Sequence, residues 1–212
     1  MTYRPRRTAA PRLGGLLLAP GAGADSSQAG LVAVADGLAP LPVRRMDFPY
    51  RLAGRKIPDR APELIDAVRR VAADFAAELR VDPAAIAIGG RSMGGRMCSM
   101  AVAAGQPAAA LVLLSYPLHP PGRPERLRTE HFAALSLPCL FVCGTRDPFG
   151  SPAEFEAACT AIPGPVTTVW LEGQGHSPRG RDRLIVAAVH DFLTGVPSAG
   201  PRRQPAAGHP VP

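Results

Sequence analysis

Short apolar runs alternate along this chain with longer stretches of helical period, and that alternation leaves few architectures open. The runs at residues 13–19, 42–48, 85–89, 111–115, 140–143 and 166–171 have the length of strands. Between them, residues 61–80 carry Leu64, Val68, Val71, Phe75 and Leu79 at intervals of three and four, a single apolar stripe on a helix with Pro62 in its first turn. Residues 26–38, 93–104, 152–161 and 179–194 read as further helices, the last with Leu184, Ile185, Ala188 and Phe192 on one side. Strand and helix in alternation predict the α/β class: a three-layer α/β/α sandwich around a mostly parallel sheet of about six strands.

The 212 residues suit one domain of this kind. Its expected extent is 13–195, between a basic flexible N-terminus over 1–12 and a disordered tail over 196–212 in which Pro, Gly, Ala and Arg leave little to bury. No apolar run reaches the roughly 18 to 20 residues needed to cross a bilayer, so no membrane partner is expected. The basic start and the apolar run after it imitate a secretory leader, but cleavage after Ala22 would remove a strand the sheet needs, and the expected location is the cytoplasm.

A formal net charge of +7 raises nucleic acid as a partner. Arg4, Arg6, Arg7 and Arg12 at one end, with Arg202 and Arg203 at the other, carry six of those charges. The core is thus nearly neutral, without a basic groove interleaved with aromatics, and nucleic-acid binding is not expected. Cys98, Cys139, Cys143 and Cys159 have neither CxxC spacing nor a histidine at a metal-ligand interval. They read as reduced, buried thiols, with no metal and no cofactor.

The sharpest local signal is Ile86-Ala87-Ile88-Gly89-Gly90-Arg91-Ser92-Met93-Gly94-Gly95, an apolar strand running through Gly-x-Ser-x-Gly into a helix. A serine hydroxyl is a weak nucleophile, so it must be exposed at a tight turn where a base can take its proton. That base belongs in the loop after the last strand, where Gly175-His176-Ser177 follows the 166–171 run. His119 and His131 precede the strand expected to carry the acid, His190 fits a helix surface, and His209 lies in the tail. The acid belongs after the penultimate strand, where Gly144-Thr145-Arg146-Asp147-Pro148 supplies Asp147. Asp182 and Glu172 are rivals, the first inside the terminal helix and the second too near His176 along the chain. Asp147 also suits an ordinary turn before Pro148. The order Ser92, Asp147, His176, each in its proper loop, is the combination that carries weight.

Acyl transfer also requires donors for the charge that develops on the carbonyl oxygen. The N–H of Met93 is one candidate. The N–H of Ala22, in the turn 19–24 after the first strand, is the other, although a tight strand-to-helix crossover accounts for those glycines equally well.

These segments, together with Leu18-Ala19-Pro20-Gly21-Ala22-Gly23, Asp47-Phe48-Pro49-Tyr50, Gly54-Arg55 and Pro58-Asp59-Arg60, resemble the α/β-hydrolase superfamily, and more narrowly the bacterial dienelactone-hydrolase-like proteins of the KANL3/Tex30 family. The resemblance spans about residues 13–194 and implies a metal-free hydrolase using Ser92, His176 and Asp147. Relatives commonly carry histidine before the glycine of the oxyanion turn, where this chain has Pro20.

Only about twenty residues, with Pro117, Pro120, Pro121 and Pro124 among them, separate Ser115 from Leu137, too few for a large lid. The expected cleft is therefore open, lined by Tyr116, His119, Phe149 and the segment 48–55, and suited to a small ester, lactone or thioester. Arg91, with Arg51 and Arg55, would favour an acidic substrate or else form solvated surface charge. The expected assembly is a monomer or homodimer. Two alternatives use the same residues: a catalytically silent interaction module on this fold, and a peptidase or acyltransferase.

Overall fold

In the computed structural model, which describes residues 13–196, all six expected strands form: β1 (Gly15–Ala19), β2 (Val43–Arg45), β3 (Ile86–Arg91), β4 (Leu111–Leu114), β5 (Cys139–Gly144) and β6 (Val166–Leu171). They make one sheet in the order β2-β1-β3-β4-β5-β6, and every neighbouring pair is parallel. The central strands β1, β3, β4 and β5 are apolar on both faces because both faces are covered.

The helices are α1 (Ala29–Gly37), α2 (Pro49–Leu52), α3 (Ala61–Leu79), α4 (Met93–Ala103), α5 (Pro152–Cys159) and α6 (Asp182–Gly195). One core forms where Val68, Phe75, Met97 and Phe155 of α3, α4 and α5 meet Leu17, Ile88, Leu113 and Phe141 of the sheet. The other forms where Leu31, Val34, Ile185 and Val189 of α1 and α6 meet Leu16, Leu18, Val112 and Val142. Successive strand residues point to opposite faces, so β1 alone feeds Leu17 to one layer and Leu16 and Leu18 to the other.

The sequence does not announce α2. Four residues are too few to show a helical period, and of the extended run expected over 42–48 only Val43–Arg45 are strand, with Pro49 opening the helix. The expectations for residues 1–12 and for the tail beyond Val196 lie outside the described residues. No described helix is long and apolar enough to cross a membrane.

Between β4 and β5 the chain builds one 3₁₀ turn, Phe132–Ala134, and no lid. Partly buried polar contacts hold this loop down. The Tyr116 hydroxyl donates to the Arg128 carbonyl at 3.1 Å, and His131 Nε2 lies 2.8 Å from the Ser99 hydroxyl of α4. Because the Ser99 hydroxyl donates to the Arg96 carbonyl, His131 Nε2–H is the donor of that pair.

Burial, and secondarily the charge of Arg96, lower the His131 imidazole from its ordinary 6.5 to about 4. Above pH 6.5 the ring is neutral whether the chain is folded or not. Below it the unfolded chain gains a proton that the folded chain refuses, so stability falls as the pH drops toward 4. Urea unfolding at pH 7 and pH 4.5 should show a smaller acid-induced drop in midpoint for His131→Gln than for wild type.

Candidate active site

Chain reversal on β1 places its neighbours β2 and β3 on opposite sides, and the crevice at the carboxyl ends of β1 and β3 is where this class of sheet binds ligands. Two glycines bring the walls of that crevice together. A Cβ on Gly90 would fall 2.2 Å from the Ala19 carbonyl oxygen, and one on Gly94 would fall 2.3 Å from the same atom. Only with both side chains absent can β3 and α4 pack this closely on the end of β1.

Between them stands Ser92, with φ +50° and ψ −118°. A side-chain-bearing residue holds such a conformation at a cost of about 1–3 kcal/mol. The surroundings enforce it: the Ser92 N–H donates to the Leu114 carbonyl at 2.9 Å, and α4 begins at the next residue.

The Ser92 hydroxyl lies 2.8 Å from Nε2 of His176, and Nδ1 of the same ring lies 2.8 Å from Oδ2 of Asp147. A carboxylate only accepts, so Nδ1 carries the proton and Nε2 presents its lone pair to the serine. The other oxygen, Oδ1, accepts the Phe149 N–H at 2.9 Å, which pins the carboxylate in its turn. Side-chain exposure is 1% for Asp147 and 20% for His176, so the pair is sealed at the acid while the imidazole keeps contact with solvent. The two loops are tied to each other, since the Arg146 N–H donates to the Gln174 carbonyl at 2.9 Å. Phe149 lies beside the imidazole, with ring centroids 4.1 Å apart.

The turn after β1 has its own bracing. Gly21 N–H donates to the Gln28 side chain and Gly23 N–H to the Tyr50 hydroxyl, each at 3.1 Å. Asp47 accepts both the N–H and the hydroxyl of Ser26, and Arg51 pairs with Asp25 at 3.1 Å. Among the described residues no acceptor takes the N–H of Ala22 or of Met93. These two groups follow the ends of the adjacent paired strands β1 and β3, Ala22 in the turn after Ala19 and Met93 as the first residue of α4. Tyr50 and Asp47 escaped the sequence reading as bracing residues because their element, α2 with its approach, has no periodic signal.

Three side chains expected to line the cleft are elsewhere. Tyr116 is fully buried, its ring packed against Phe132 and Phe141, because an apolar ring following β4 is drawn into the core beneath the loop. His119 is 4% exposed, with Nδ1 donating to the Pro120 carbonyl at 2.8 Å and Nε2 turned to Glu154 of α5. Arg91 sends Nη2 to the His176 carbonyl and to the Ser177 hydroxyl, both at 2.8 Å, and so supports the histidine loop from behind. The expected arginine-rich rim is also committed, Arg51 to Asp25 and Arg55 to Asp59. In the 48–55 segment Phe48 and Tyr50 are buried, not cleft-lining.

No group of three or more His, Cys, Asp or Glu side chains is gathered as for a metal ion among the described residues. Burial pushes the thiols of Cys139 and Cys143 up to about 12, and that of Cys159 to about 11, far from a reactive thiolate.

Known proteins agree with this architecture. The structure of DcsB in complex with its substrate analogue superposes with a TM-score of 0.73 at 16% identity, covering 89% of this chain and 92% of that one. Dienelactone hydrolase from Anabaena variabilis gives a TM-score of 0.69 at 16% identity over 88% of each chain. In sequence, epoxide hydrolase A of Mycobacterium tuberculosis is 36% identical over 63 residues, a stretch that takes in 29% of this chain and only 20% of that protein. The family described as "Alpha/beta hydrolase domain" matches residues 13–187, most of the chain, and the protein belongs to that family, with a dienelactone-hydrolase-like fold.

Proposed function

We propose that the protein is a serine hydrolase that cleaves a small ester, lactone or thioester through an acyl-enzyme intermediate. The observation that carries this reading is the unbroken path Ser92–His176–Asp147, two contacts of 2.8 Å ending at a buried carboxylate. In the proposed reaction His176 Nε2 takes the Ser92 proton as Oγ bonds to the substrate carbonyl carbon, and the carbonyl electrons move to oxygen. The N–H groups of Ala22 and Met93 stabilise that oxyanion, each donor contributing about 3 kcal/mol to the transition state. Collapse breaks the bond to the leaving alcohol or thiol, which receives its proton from His176. Water then attacks the acyl group with His176 again as base, releasing a carboxylic acid and restoring the serine hydroxyl. Asp147 remains ionised and stabilises the imidazolium in both halves.

The absence of a lid, the pairing of Arg51 and Arg55 with carboxylates and the turning of Arg91 to the back of the histidine loop favour a small, mainly apolar acyl group over an acidic one. Phe149 supplies an apolar wall beside the imidazole. The carbonyl of Lys56, next to the 81% exposed Ile57, lies 3.9 Å from where a Cβ on Gly23 would be, so that apolar side chain belongs to a loop beside the oxyanion turn. Lactone cleavage, the chemistry for which the Anabaena variabilis neighbour is named, lies within this scheme.

A fluorophosphonate probe should label the wild-type protein and leave Ser92→Ala unlabelled; a folded wild type that takes no label would favour the silent interaction module. His176→Ala should lower turnover of p-nitrophenyl acetate by roughly 10⁴-fold or more while the thermal midpoint stays nearly unchanged. Tyr50→Phe removes only the acceptor that braces Gly23, and should lower kcat about ten-fold with KM little altered, the pattern of a donor displaced from the transition state.

A further inference from the structure

A cavity of about 310 Å³ lies on the α1 and α6 side of the sheet, behind the loop that carries His176, and Ser92, His176 and Asp147 are not among the residues that line it. Its floor is apolar, made by Leu114, Val142 and Leu171 at the ends of β4, β5 and β6 with Ile185 of α6. Its rim has the opposite character. Arg91 lines it with a half-buried guanidinium, and Arg179 enters from the histidine loop.

The first turn of α1 contributes Ala29 and Gly30, whose N–H groups meet no acceptor among the described residues, and no side chain caps the start of this nine-residue helix. An independent sign comes from Ser115. It lines the cavity at φ +47° and is only 2% exposed, yet its hydroxyl has no hydrogen-bond partner among the described residues. The oxygen is not among the fully enclosed atoms that lack a partner, so this hydroxyl opens into the cavity and is free to bond whatever enters it.

The geometry points to a binding site for a small organic carboxylate with an apolar body, separate from the catalytic crevice. The carboxylate meets the Arg91 guanidinium, of which only Nη2 is bonded to protein among the described residues, the Ser115 hydroxyl and the free N–H groups that open α1, where the helix dipole also favours negative charge. The apolar body covers Leu114, Val142, Leu171 and Ile185. A single charge suits the site better than two, because Asp182 is also among the lining residues and its negative charge would oppose a dianion such as phosphate more than a monoanion. The ligand would also touch the support of the catalytic loop, since Arg91 and Ser177 line the cavity and are bonded to each other at 2.8 Å. This site does not depend on Ser92 being a nucleophile.

The test uses 4-fluorobenzoate as probe against the ¹⁵N-labelled full chain. Saturable shifts should concentrate at the amides of Ser115, Ser177, Gly180 and Ile185, and the neutral isostere 4-fluorobenzamide should bind about ten-fold more weakly. Arg91→Gln and Ser115→Ala should each weaken 4-fluorobenzoate about five- to ten-fold. Ile185→Phe, which fills the cavity and leaves every polar group in place, should abolish the shifts. A dispersed spectrum serves as the fold check for each variant. Shifts confined to Ala22, Met93 and Phe149 would place the probe in the catalytic crevice and overturn the proposal. So would the absence of saturation, equal binding of the amide, or full binding to folded Ile185→Phe. Fluorophosphonate labelling of the same samples reports separately on Ser92, so failure of this site and failure of the proposed catalysis are told apart.

Discussion

The Ala19 carbonyl occupies space that a methyl group on either Gly90 or Gly94 would need, and the site depends on that closeness. Register pairing sets Ala19 opposite Gly90, so the end of β1 and the end of β3 are fixed to one another by backbone hydrogen bonds. Whatever follows each strand is then delivered to the same place: the turn bearing Ala22 from β1, the elbow bearing Ser92 and Met93 from β3. The backbone at Ser92 adopts its unfavourable conformation because sheet and helix on either side are too well packed to yield. Buried apolar layers on both faces thus hold a polar arrangement at the edge that no local preference would form.

Charge in the site is managed by unequal burial. Asp147 is sealed from water and held by two donors, the Phe149 N–H and the imidazole Nδ1–H, so it stays a fixed acceptor. His176, bonded to the Ser92 hydroxyl, keeps a fifth of its side chain exposed. Arg91 grips the carbonyl of His176 and the hydroxyl of Ser177, setting the loop from the rear without entering the crevice. Bracing of the Ala22 turn through Gln28, Tyr50 and Asp47 does the same for the opposite wall. Both walls are preorganised, which is what electrostatic stabilisation of a short-lived charge requires.

The number and chain positions of the strands were legible because each apolar run is short, separate and set between helices of clear period. Ser92, Asp147 and His176 could be picked out because chain order and loop position in a parallel sheet restrict where such groups can meet. Tyr116 and His119 misled: sequence proximity to the end of β4 does not reveal whether a ring turns up into the crevice or down into the core, and the aromatic cluster of Phe132 and Phe141 settled that. Arg91 misled for a related reason, since a charged residue beside Ser92 reads as a substrate contact until its partners across 85 residues of chain are known. Tyr50 was missed as a brace because its value lies in one hydroxyl reaching a backbone N–H 27 residues away, which no periodicity records.

The loop between β4 and β5 is tied down at Tyr116, His131 and Leu135, yet residues 121–127 between those anchors are all exposed, with Gly122 at φ +69° marking an outward turn. Extra chain spliced at that tip would meet no core atoms, and each doubling of loop length would cost only about 0.6 kcal/mol in closure entropy. The protein therefore has a ready site of growth: descendants of this scaffold can lengthen that tip without disturbing the sheet beneath.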